Sequence, residues 1–326
     1  MIKHVLRLRA AGGRTGRFSI FIFHRVLAVP DPLQPYEPDP AVFDAICVWL
    51  RTWFQVLPLP QAVQRLRDGT LPPRAASITF DDGYADNHDL ALPVLRRHGL
   101  PATVFVANGY LDGGRMFNDS VIETLRRAPE GTLDLRDTVG GHLGVFELST
   151  AETRRRAIGA LLHAIKPWPV SQRDAFCVQL QRLASVPALP SDLMMRSAQV
   201  QALHRQGITI GAHTVTHPIL AELDDEKAYT EIAEGRHALQ ALVDDPIDLF
   251  AYPNGRPDID YSARTVSLVR RAGFAAAVST AAGVCTASSD PLQLPRYTPW
   301  NRTRLRFAVN LWRNLGNTSP ALAAAA

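Results

Sequence analysis

Short runs of consecutive apolar residues alternate along the chain with longer segments whose apolar residues recur every three or four positions. The short runs are typical of strands buried on both faces, and the longer segments are typical of amphipathic helices. Predicted strands lie at residues 18–23, 77–80, 102–106, 208–210, 248–252, 274–279 and 292–297. Predicted helices lie at residues 41–54, 61–67, 89–98, 224–243 and 263–272. Strands that alternate with helices favour a parallel sheet with right-handed crossovers, and polar residues at strand ends indicate a distorted (β/α) barrel of about seven strands.

Between about residues 115 and 201 the pattern changes to polar, mostly helical segments that prolines separate. The clearest helices are predicted at residues 153–166 and 171–184. We interpret this region as an insertion into a single domain that spans residues 1–326, with a disordered tail at about 319–326. An insertion over the mouth of a barrel often sets specificity, but a helical cover without ligand contact fits the pattern equally well. Asn118 and Asp119 are the residues of this region that we would test.

Composition and charge exclude some classes of protein. The chain has 326 residues, of which 46% are hydrophobic, so it can bury a sizeable core. The net charge of +4 and the pI of about 9.1 are mild, and without a basic stripe or recognition motif we predict no nucleic-acid partner. The three cysteines, Cys47, Cys177 and Cys285, lie far apart, which predicts buried thiols in a reducing compartment.

No segment of the sequence is predicted to span a membrane. The basic stretch at the N-terminus is followed by an apolar run, residues 18–23, that is too short for the core of a signal peptide, and no run reaches the roughly 18 apolar residues of a spanning helix. We therefore expect a soluble, cytoplasmic protein.

Residues 302–314 place Leu305, Val309 and Trp312 on one face among four arginines, which is compatible with a membrane-surface role. We favour a helix that caps the barrel.

Two adjacent carboxylates follow the strand predicted at 77–80, directly before a glycine. Where a strand opens into a glycine turn, the alternation of side chains relaxes, so Asp81 and Asp82 can both face one cavity. Taken alone, two aspartates before a glycine are also an ordinary polar turn. Much later in the chain, His213 and His217 follow another apolar strand. A spacing of four places two imidazoles on one face of a helical turn, where they can share a metal ion with a carboxylate such as Asp82.

With these two motifs the sequence resembles the polysaccharide deacetylases of the NodB-homology type, carbohydrate esterase family four. Their first motif is matched by Thr79-Phe80-Asp81-Asp82-Gly83 and their second by His213-Thr214-Val215-Thr216-His217. The resemblance implies that Asp81 is the general base. It also implies that Asp82, His213 and His217 hold a divalent metal, usually zinc.

The third motif of that family, Arg-x-Pro-Tyr-Gly, corresponds here to Ala251-Tyr252-Pro253-Asn254-Gly255. The resemblance implies that the backbone N–H of Asn254 stabilises the oxyanion. Ala251 replaces the arginine that pairs with the catalytic base in the family. Arg296 and Arg25 are the candidates to take its place.

A further departure concerns the general acid, which in the family is a histidine of a C-terminal Leu-x-His motif. The corresponding stretch here reads Leu294-Pro295-Arg296. His24, at the end of the first predicted strand, is our candidate, because related deacetylases with circularly permuted motifs carry this histidine near the N-terminus. The alternative is a strand-end histidine that bonds only backbone. Tyr252, Asn118 and Arg296 are the predicted substrate contacts.

Together the motifs predict a metal-dependent hydrolase, with Zn²⁺ as the metal, that removes N-acetyl groups from an amino-sugar-containing glycan or glycolipid precursor. Two alternatives stay open. One keeps the site and changes the substrate to another amide, as in a deformylase or a ring amidohydrolase. The other is a catalytically impaired carbohydrate-binding protein, which the missing arginine and histidine would explain. A free carboxylate beside a metal-binding one favours the enzyme, since a binding module has no physical need of it.

Overall fold

A curled parallel sheet forms the centre of the computed structural model, which describes residues 9–139, 141–299 and 301–324. The strands are β1 (Phe18–Phe23), β2 (Gln55–Val56), β3 (Ala75–Phe80), β4 (Thr103–Val106), β5 (Thr132–Asp134), β6 (Val145–Glu147), β7 (Thr209–Ala212), β8 (Leu249–Ala251) and β9 (Ala276–Val278). The helices are α1 (Pro40–Trp53), α2 (Leu59–Arg67), α3 (Leu92–His98), α4 (Phe117–Arg127), α5 (Ala151–Ile165), α6 (Val170–Leu183), α7 (Ser197–Arg205), α8 (Asp225–Val243), α9 (Ala263–Arg271) and α10 (Arg304–Asn314). A π-helical turn, Asn87–Ala91, leads into α3.

The sheet has the order β1-β3-β4-β7-β8-β9, with β2 beside β3, and all of these pairings are parallel. Every residue of β1, β3, β4, β8 and β9 is buried, as consecutive apolar residues in a sheet covered on both faces require. Helices connect successive parallel strands on the outside of the curl. The predicted fold class, a distorted (β/α) barrel, is confirmed, and the prediction of β1 at residues 18–23 matches the structure to the residue.

The two edges of this sheet are joined by residues 294–297. Leu294 exchanges backbone hydrogen bonds with β9, through the Ala277 carbonyl and the Ser279 N–H, both at 2.8 Å. Tyr297 does the same with β1, donating to the Ile20 carbonyl at 2.8 Å and accepting from the Ile22 N–H at 3.1 Å. The strand predicted at 292–297 is therefore wrong as a continuous strand and is two single bridges. Pro295 between them has no N–H to extend a ladder.

The polar region after β4 folds around a hydrophobic cluster of its own. The helices predicted at 153–166 and 171–184 are confirmed as α5 and α6, and with α4 they bury Leu125, Leu161 and Phe176 among others. The β5–β6 hairpin was not predicted. Its strands have a single fully buried side chain, Leu133, so they carry no alternating apolar pattern to detect.

Helix α10 packs on the outside of the barrel through Phe307 and Leu311. The Phe307 ring contacts Phe21 of β1, Trp49 and Trp53 of α1 at centroid distances of 5.4 to 6.2 Å. The disorder predicted for residues 319–326 stays a prediction. The structure describes this segment as far as residue 324, and the Ala323 N–H donates to the Gln293 side chain. The last two residues lie outside the described ranges.

Two predictions from composition also have structural counterparts. The three cysteines are free and buried. Among the described residues, no helix has both the length and the apolar character needed to cross a bilayer.

The two faces of α10 give a test of the packing. We expect Phe307→Ala to lower the free energy of unfolding by about 3–5 kcal/mol, because the ring is fully buried among aromatic side chains. Leu305 lies two residues away on the outer side of the helix and is 71% exposed, so Leu305→Ser should change the free energy of unfolding by no more than about 0.5 kcal/mol. Urea unfolding followed by circular dichroism measures both. Equal losses would contradict this placement of the helix.

Candidate active site

The carboxyl ends of β3 and β7 bring three potential metal ligands together. The Nε2 atoms of His213 and His217 lie 3.3 and 3.4 Å from Oδ1 of Asp82. One ligand atom from each residue lies within 4.8 Å of the others, and no other such cluster occurs in the part of the chain that the structure describes. The histidine pair and the aspartate predicted from spacing are therefore neighbours in space.

The backbone brings the two histidines together in a different way from the helical turn that we expected. Residues 213–219 form a loop, with Thr214 at φ 64° and His217 at φ 53°. Positive φ in non-glycine residues is uncommon and needs support from neighbouring structure. The His217 N–H donates to the Thr214 hydroxyl at 3.0 Å, which closes the loop on itself. The spacing of four is thus satisfied by a strained loop.

Glu231 of α8 provides most of the support for this loop. Its carboxylate accepts hydrogen bonds from the backbone N–H groups of Val215 and Thr216 at 2.9 and 2.8 Å, and from the Thr216 hydroxyl at 2.6 Å. Helix α8 approaches closely at Gly235, where a Cβ would lie 2.9 Å from the Thr214 carbonyl carbon. Sequence reasoning missed Glu231, since an acidic residue in a charged helix gives no signal that it holds a distant loop.

The orientation of His213 suits a metal ligand. Its Nδ1 lies 2.7 Å from the Ala251 carbonyl, which can only accept, so Nδ1 carries a proton and Nε2 is the ring nitrogen that faces Asp82. Nδ1 of His217 is buried and has no partner among the described residues. Asp82 itself has φ 76°, and the following Gly83 has φ 89°. This turn directs the Asp82 carboxylate into the same space as the imidazoles.

Asp81 is held by a bidentate ion pair with Arg296. The two guanidinium nitrogens donate to its two carboxylate oxygens at 2.7 and 2.6 Å, and both side chains are almost fully buried, at 0% exposure for Arg296 and 3% for Asp81. Burial alone would raise the pKa of the Asp81 carboxyl, but the charge of Arg296, the nearby His213 and the hydrogen bonds from Arg296 together hold that pKa below its usual range. The arginine that the third motif lacks is therefore replaced from the bridging segment 294–297.

Arg25, the other candidate for this place, has a different partner. Its Nε donates to Asp86 at 2.8 Å, and its guanidinium lies over the Tyr84 ring.

Besides Asp81, Arg296 donates hydrogen bonds to the Ser279 carbonyl and the Thr79 hydroxyl. With all of its groups engaged in the core, Arg296 does not reach the cavity, so the structure does not support its predicted substrate contact.

A cavity of about 250 Å³ opens beside the two aspartates. The residues that line it are His24, Asp81, Asp82, Met116, Phe117, Asn118, Leu162, Lys166, His213, His217, Asn254 and Thr280. Seven of the nine predicted site residues are among them. The polar region between β4 and β7 contributes part of the cavity wall. Asn118 is the only residue of this region that the sequence analysis predicted to contact substrate.

Tyr252 is not part of this cavity. Its ring is fully buried and stacks on Tyr261 at a centroid distance of 3.9 Å, and its hydroxyl donates to the Leu292 carbonyl at 2.8 Å. Because the side chain is satisfied in the core, the structure does not bring it to a substrate. Its position directly after β8 looked functional in the sequence, but strand-end side chains also point into the core.

Two further cavity residues have defined surroundings. The His24 carbonyl accepts from the Asn87 side chain at 2.8 Å, which fixes the end of β1 while its imidazole lines the cavity. Lys166, at the end of α5, lies 3.5 Å from the fully buried Asp260, and burial lowers its pKa. Sequence reasoning missed Lys166, because a lysine at the end of a polar helix is usually a solvated residue.

Comparison with known proteins agrees with this geometry. The family model described as polysaccharide deacetylase matches residues 68–132 and 155–277, more than half of the chain. The chain belongs to the polysaccharide deacetylase family. The two matched segments contain both aspartates and both histidines, whereas His24 and Arg296 lie outside them.

Individual members of the family and solved structures are distant in sequence. The chain is 21% identical over 256 residues to the protein named Putative polysaccharide deacetylase YxkH of Bacillus subtilis (strain 168), covering 78% of this chain and 62% of that protein. It resembles Streptococcus pyogenes deacetylase PplD, in complex with acetate, with a TM-score of 0.59 and 17% identity over 92% of this chain and 99% of that one. IcaB from Ammonifex degensii gives a TM-score of 0.59 and 18% identity over 93% and 98%. At these identities the structural likeness shows a shared fold.

The buried ion pair predicts an asymmetric response to mutation. Arg296→Met should lower the free energy of unfolding by about 3–5 kcal/mol, because it leaves the Asp81 charge buried without a partner. The double variant Arg296→Met/Asp81→Asn should recover much of this loss, since both charges are then gone. Arg264→Met, which breaks an exposed pair with Asp225, is the matched control and should cost at most about 1 kcal/mol. Urea unfolding that shows equal losses for both arginines would contradict the assignment.

Proposed function

We propose that the protein is a metal-dependent hydrolase that removes N-acetyl groups from an amino-sugar-containing glycan or glycolipid. One observation supports this above the others. A carboxylate held by a buried arginine, Asp81, faces the same cavity as an Asp-His-His cluster in a chain of the polysaccharide deacetylase family. No observation specifically favours a deformylase or a ring amidohydrolase.

The cluster fits a divalent metal. Two imidazole nitrogens and one carboxylate oxygen are the ligand set of catalytic zinc sites that keep a position open for water or substrate. The hydrogen bond from Nδ1 of His213 to the Ala251 carbonyl is the outer-shell contact such sites use to fix the tautomer. We propose Zn²⁺ held by Asp82, His213 and His217. Bound there, it would supply Lewis acidity and lower the pKa of water.

Asp81 is placed to act as the general base. The Arg296 pair keeps its carboxyl ionised, and a carboxylate has roughly four acceptor sites, so two hydrogen bonds from the guanidinium leave capacity for the proton of an attacking water. The same pair fixes the carboxylate in position, since both of its oxygens are engaged. A base that is oriented before substrate arrives reduces the cost of organising the reaction.

Asn254 and His24 take the two remaining roles in this proposal. Asn254 has φ 58°, and no hydrogen bond among the described residues uses its backbone N–H, so that N–H is available for the oxyanion of the tetrahedral intermediate. Its carbonyl accepts from the Thr280 hydroxyl at 2.8 Å, which holds this peptide in place. His24, whose imidazole lines the same cavity, would donate a proton to the leaving amine.

The contacts proposed for the sugar come from the wall between β4 and β7. Asn118 lines the cavity, and its side-chain oxygen, Oδ1, is buried and unpartnered within the described residues. Such an acceptor is costly to leave unsatisfied, and a sugar hydroxyl or amide would satisfy it. Phe117 and Leu162 add the apolar surface on which a pyranose ring packs.

Metal content and acetate release separate the roles of the two adjacent aspartates. Wild-type protein should bind about one metal ion and release acetate from N-acetylglucosamine oligomers, and Asp82→Ala should lose both properties, since a ligand is removed. Asp81→Asn should keep the metal and lower kcat by about 10²–10⁴-fold. Asp192→Asn, at an exposed position, is the control and should match wild type in both measurements.

The proposal fails if Asp82→Ala retains full metal and rate. Wild-type protein that binds metal and releases no acetate from any N-acetylated sugar oligomer would instead favour a different amide or a binding role.

A second test addresses His24. His24→Asn should lower kcat on the N-acetyl sugar by about 10²–10⁴-fold, because the leaving amine needs a proton. Hydrolysis of 4-nitrophenyl acetate, whose leaving group needs none, should fall far less. His142→Asn, at an exposed position, serves as the control. An equal loss on both substrates would show that His24 is not the proton donor.

A further inference from the structure

The acidic and basic residues are distributed unequally along the sequence. All 31 acidic residues lie between Asp31 and Asp290. The segments 1–30 and 291–326 have none, whereas they hold Lys3, Arg7, Arg9, Arg14, Arg17, Arg25, Arg296, Arg302, Arg304, Arg306 and Arg313. Two segments at opposite ends of the sequence are therefore purely basic, although the net charge of the whole chain is only +4.

The fold brings these two segments into contact. The Arg9 guanidinium lies over the Trp312 ring at 3.6 Å and donates to the Trp312 carbonyl. Arg17 donates to the Leu315 carbonyl at 2.8 Å. The sequence shows no basic stripe, because the charges lie in separate segments and gather only when β1 and α10 pack on each other.

The outward side of α10 is apolar at its centre. Leu305, Val309 and Trp312 are 71%, 40% and 38% exposed. Their spacing of four and three residues places them on one side of the helix, opposite the buried Phe307 and Leu311. Exposed large apolar side chains grouped on one helix face are the pattern of an interaction site, whereas single ones need no explanation.

Exposed arginines surround this apolar stripe. Arg302, Arg304, Arg306 and Arg313 all lie on α10 or directly before it. In the described part of the chain, no carboxylate forms an ion pair with any of these four or with Arg9, while arginines elsewhere, such as Arg97, Arg136 and Arg264, do have carboxylate partners. Arg302 donates to the Pro35 and Glu37 carbonyls and Arg304 lies over the Trp53 ring, but neither contact supplies a negative counter-charge. The side chains of Arg306 and Arg313 have no partner among the described residues. We call Leu305, Val309, Trp312 and the five arginines the α10 outer face.

We propose that the α10 outer face docks the protein peripherally on an anionic lipid bilayer. A helix of 11 residues is roughly 16 Å long and too short to span a bilayer, so it would lie in the plane of the interface. Leucine, valine and tryptophan at its centre suit the boundary between headgroups and acyl chains, and arginines around them suit lipid phosphates. A nucleic acid would use the arginines alone and leave the apolar stripe without a partner. This inference does not depend on the activity proposed above.

Sedimentation with lipid vesicles tests the proposal on the whole chain. Protein should sediment with vesicles of phosphatidylglycerol and phosphatidylcholine and stay in solution with vesicles of phosphatidylcholine alone. Added salt should weaken the binding, since exposed charges are screened. Equal binding to both vesicle types, or binding to neither, would overturn the proposal.

Two double variants separate the apolar and the electrostatic parts. Leu305→Ser/Val309→Ser and Arg306→Gln/Arg313→Gln should each weaken binding to the anionic vesicles by roughly tenfold or more. The matched controls are Val178→Ser, at an apolar residue that is 71% exposed on α6, and Arg155→Gln/Arg156→Gln, at exposed positions on α5. These controls should bind like wild type. Unfolding in urea should be unchanged for all four, because every substituted side chain is exposed.

Two other outcomes would reject the lipid as partner. If duplex DNA or RNA binds as tightly as the vesicles and depends on the same arginines and not on Leu305 and Val309, the face is a polyanion site. If gel filtration with light scattering shows a dimer that the Leu305→Ser/Val309→Ser variant abolishes, the face joins two copies of the chain.

Discussion

The ion pair between Arg296 and Asp81 connects the closure of the barrel to the chemistry of the site. Arg296 belongs to the segment whose neighbours, Leu294 and Tyr297, bridge β9 to β1, while Asp81 ends β3. A carboxylate this deeply buried is tolerable only with a charged, well-oriented partner. The same residue that satisfies this charge can reach it only if the two sheet edges are joined. The pairing of Asp81 therefore depends on the segment that joins the two sheet edges.

Four of the nine non-glycine residues with positive φ in the described chain lie near this pair. Asp82 follows β3, Thr214 and His217 lie in the loop after β7, and Asn254 lies in the loop after β8. Such conformations persist when surrounding contacts determine them. Here the contacts are specific: Glu231 bonds the histidine loop, and Thr280 bonds the Asn254 carbonyl. Hydrogen bonds to these two side chains thus hold the loops that carry the cavity residues.

The outline of both fold and site could be predicted because it rests on local signals. Buried strands are short apolar runs, and a metal ligand set is a combination of rare residue types at strand ends, so β1, Asp82 and both histidines were identified. What failed depends on distance in the sequence. The sequence named Arg296 only as one of two candidate partners for Asp81, because the two residues are 215 positions apart. Glu231, which bonds a loop of another element, was missed, and the interior position of Tyr252 follows from packing against Tyr261. No pattern within a window of the sequence carries such contacts.

The molecule consists of three parts that pack through different hydrophobic contacts: the barrel, the wall between β4 and β7, and α10. The barrel supplies the two aspartates and the two histidines that line the cavity, from the residues that follow β3 and β7. The wall between β4 and β7 has its own hydrophobic cluster and contributes Asn118 and Lys166 to the cavity, and Lys166 also connects this wall to the barrel through the buried Asp260. Helix α10 packs on the barrel through Phe307, while Leu305, Val309 and Trp312 on its other side stay at least partly exposed. The barrel, this wall and α10 therefore rest on largely different hydrophobic contacts, and substitutions that lie far apart on them are expected to have additive effects on stability.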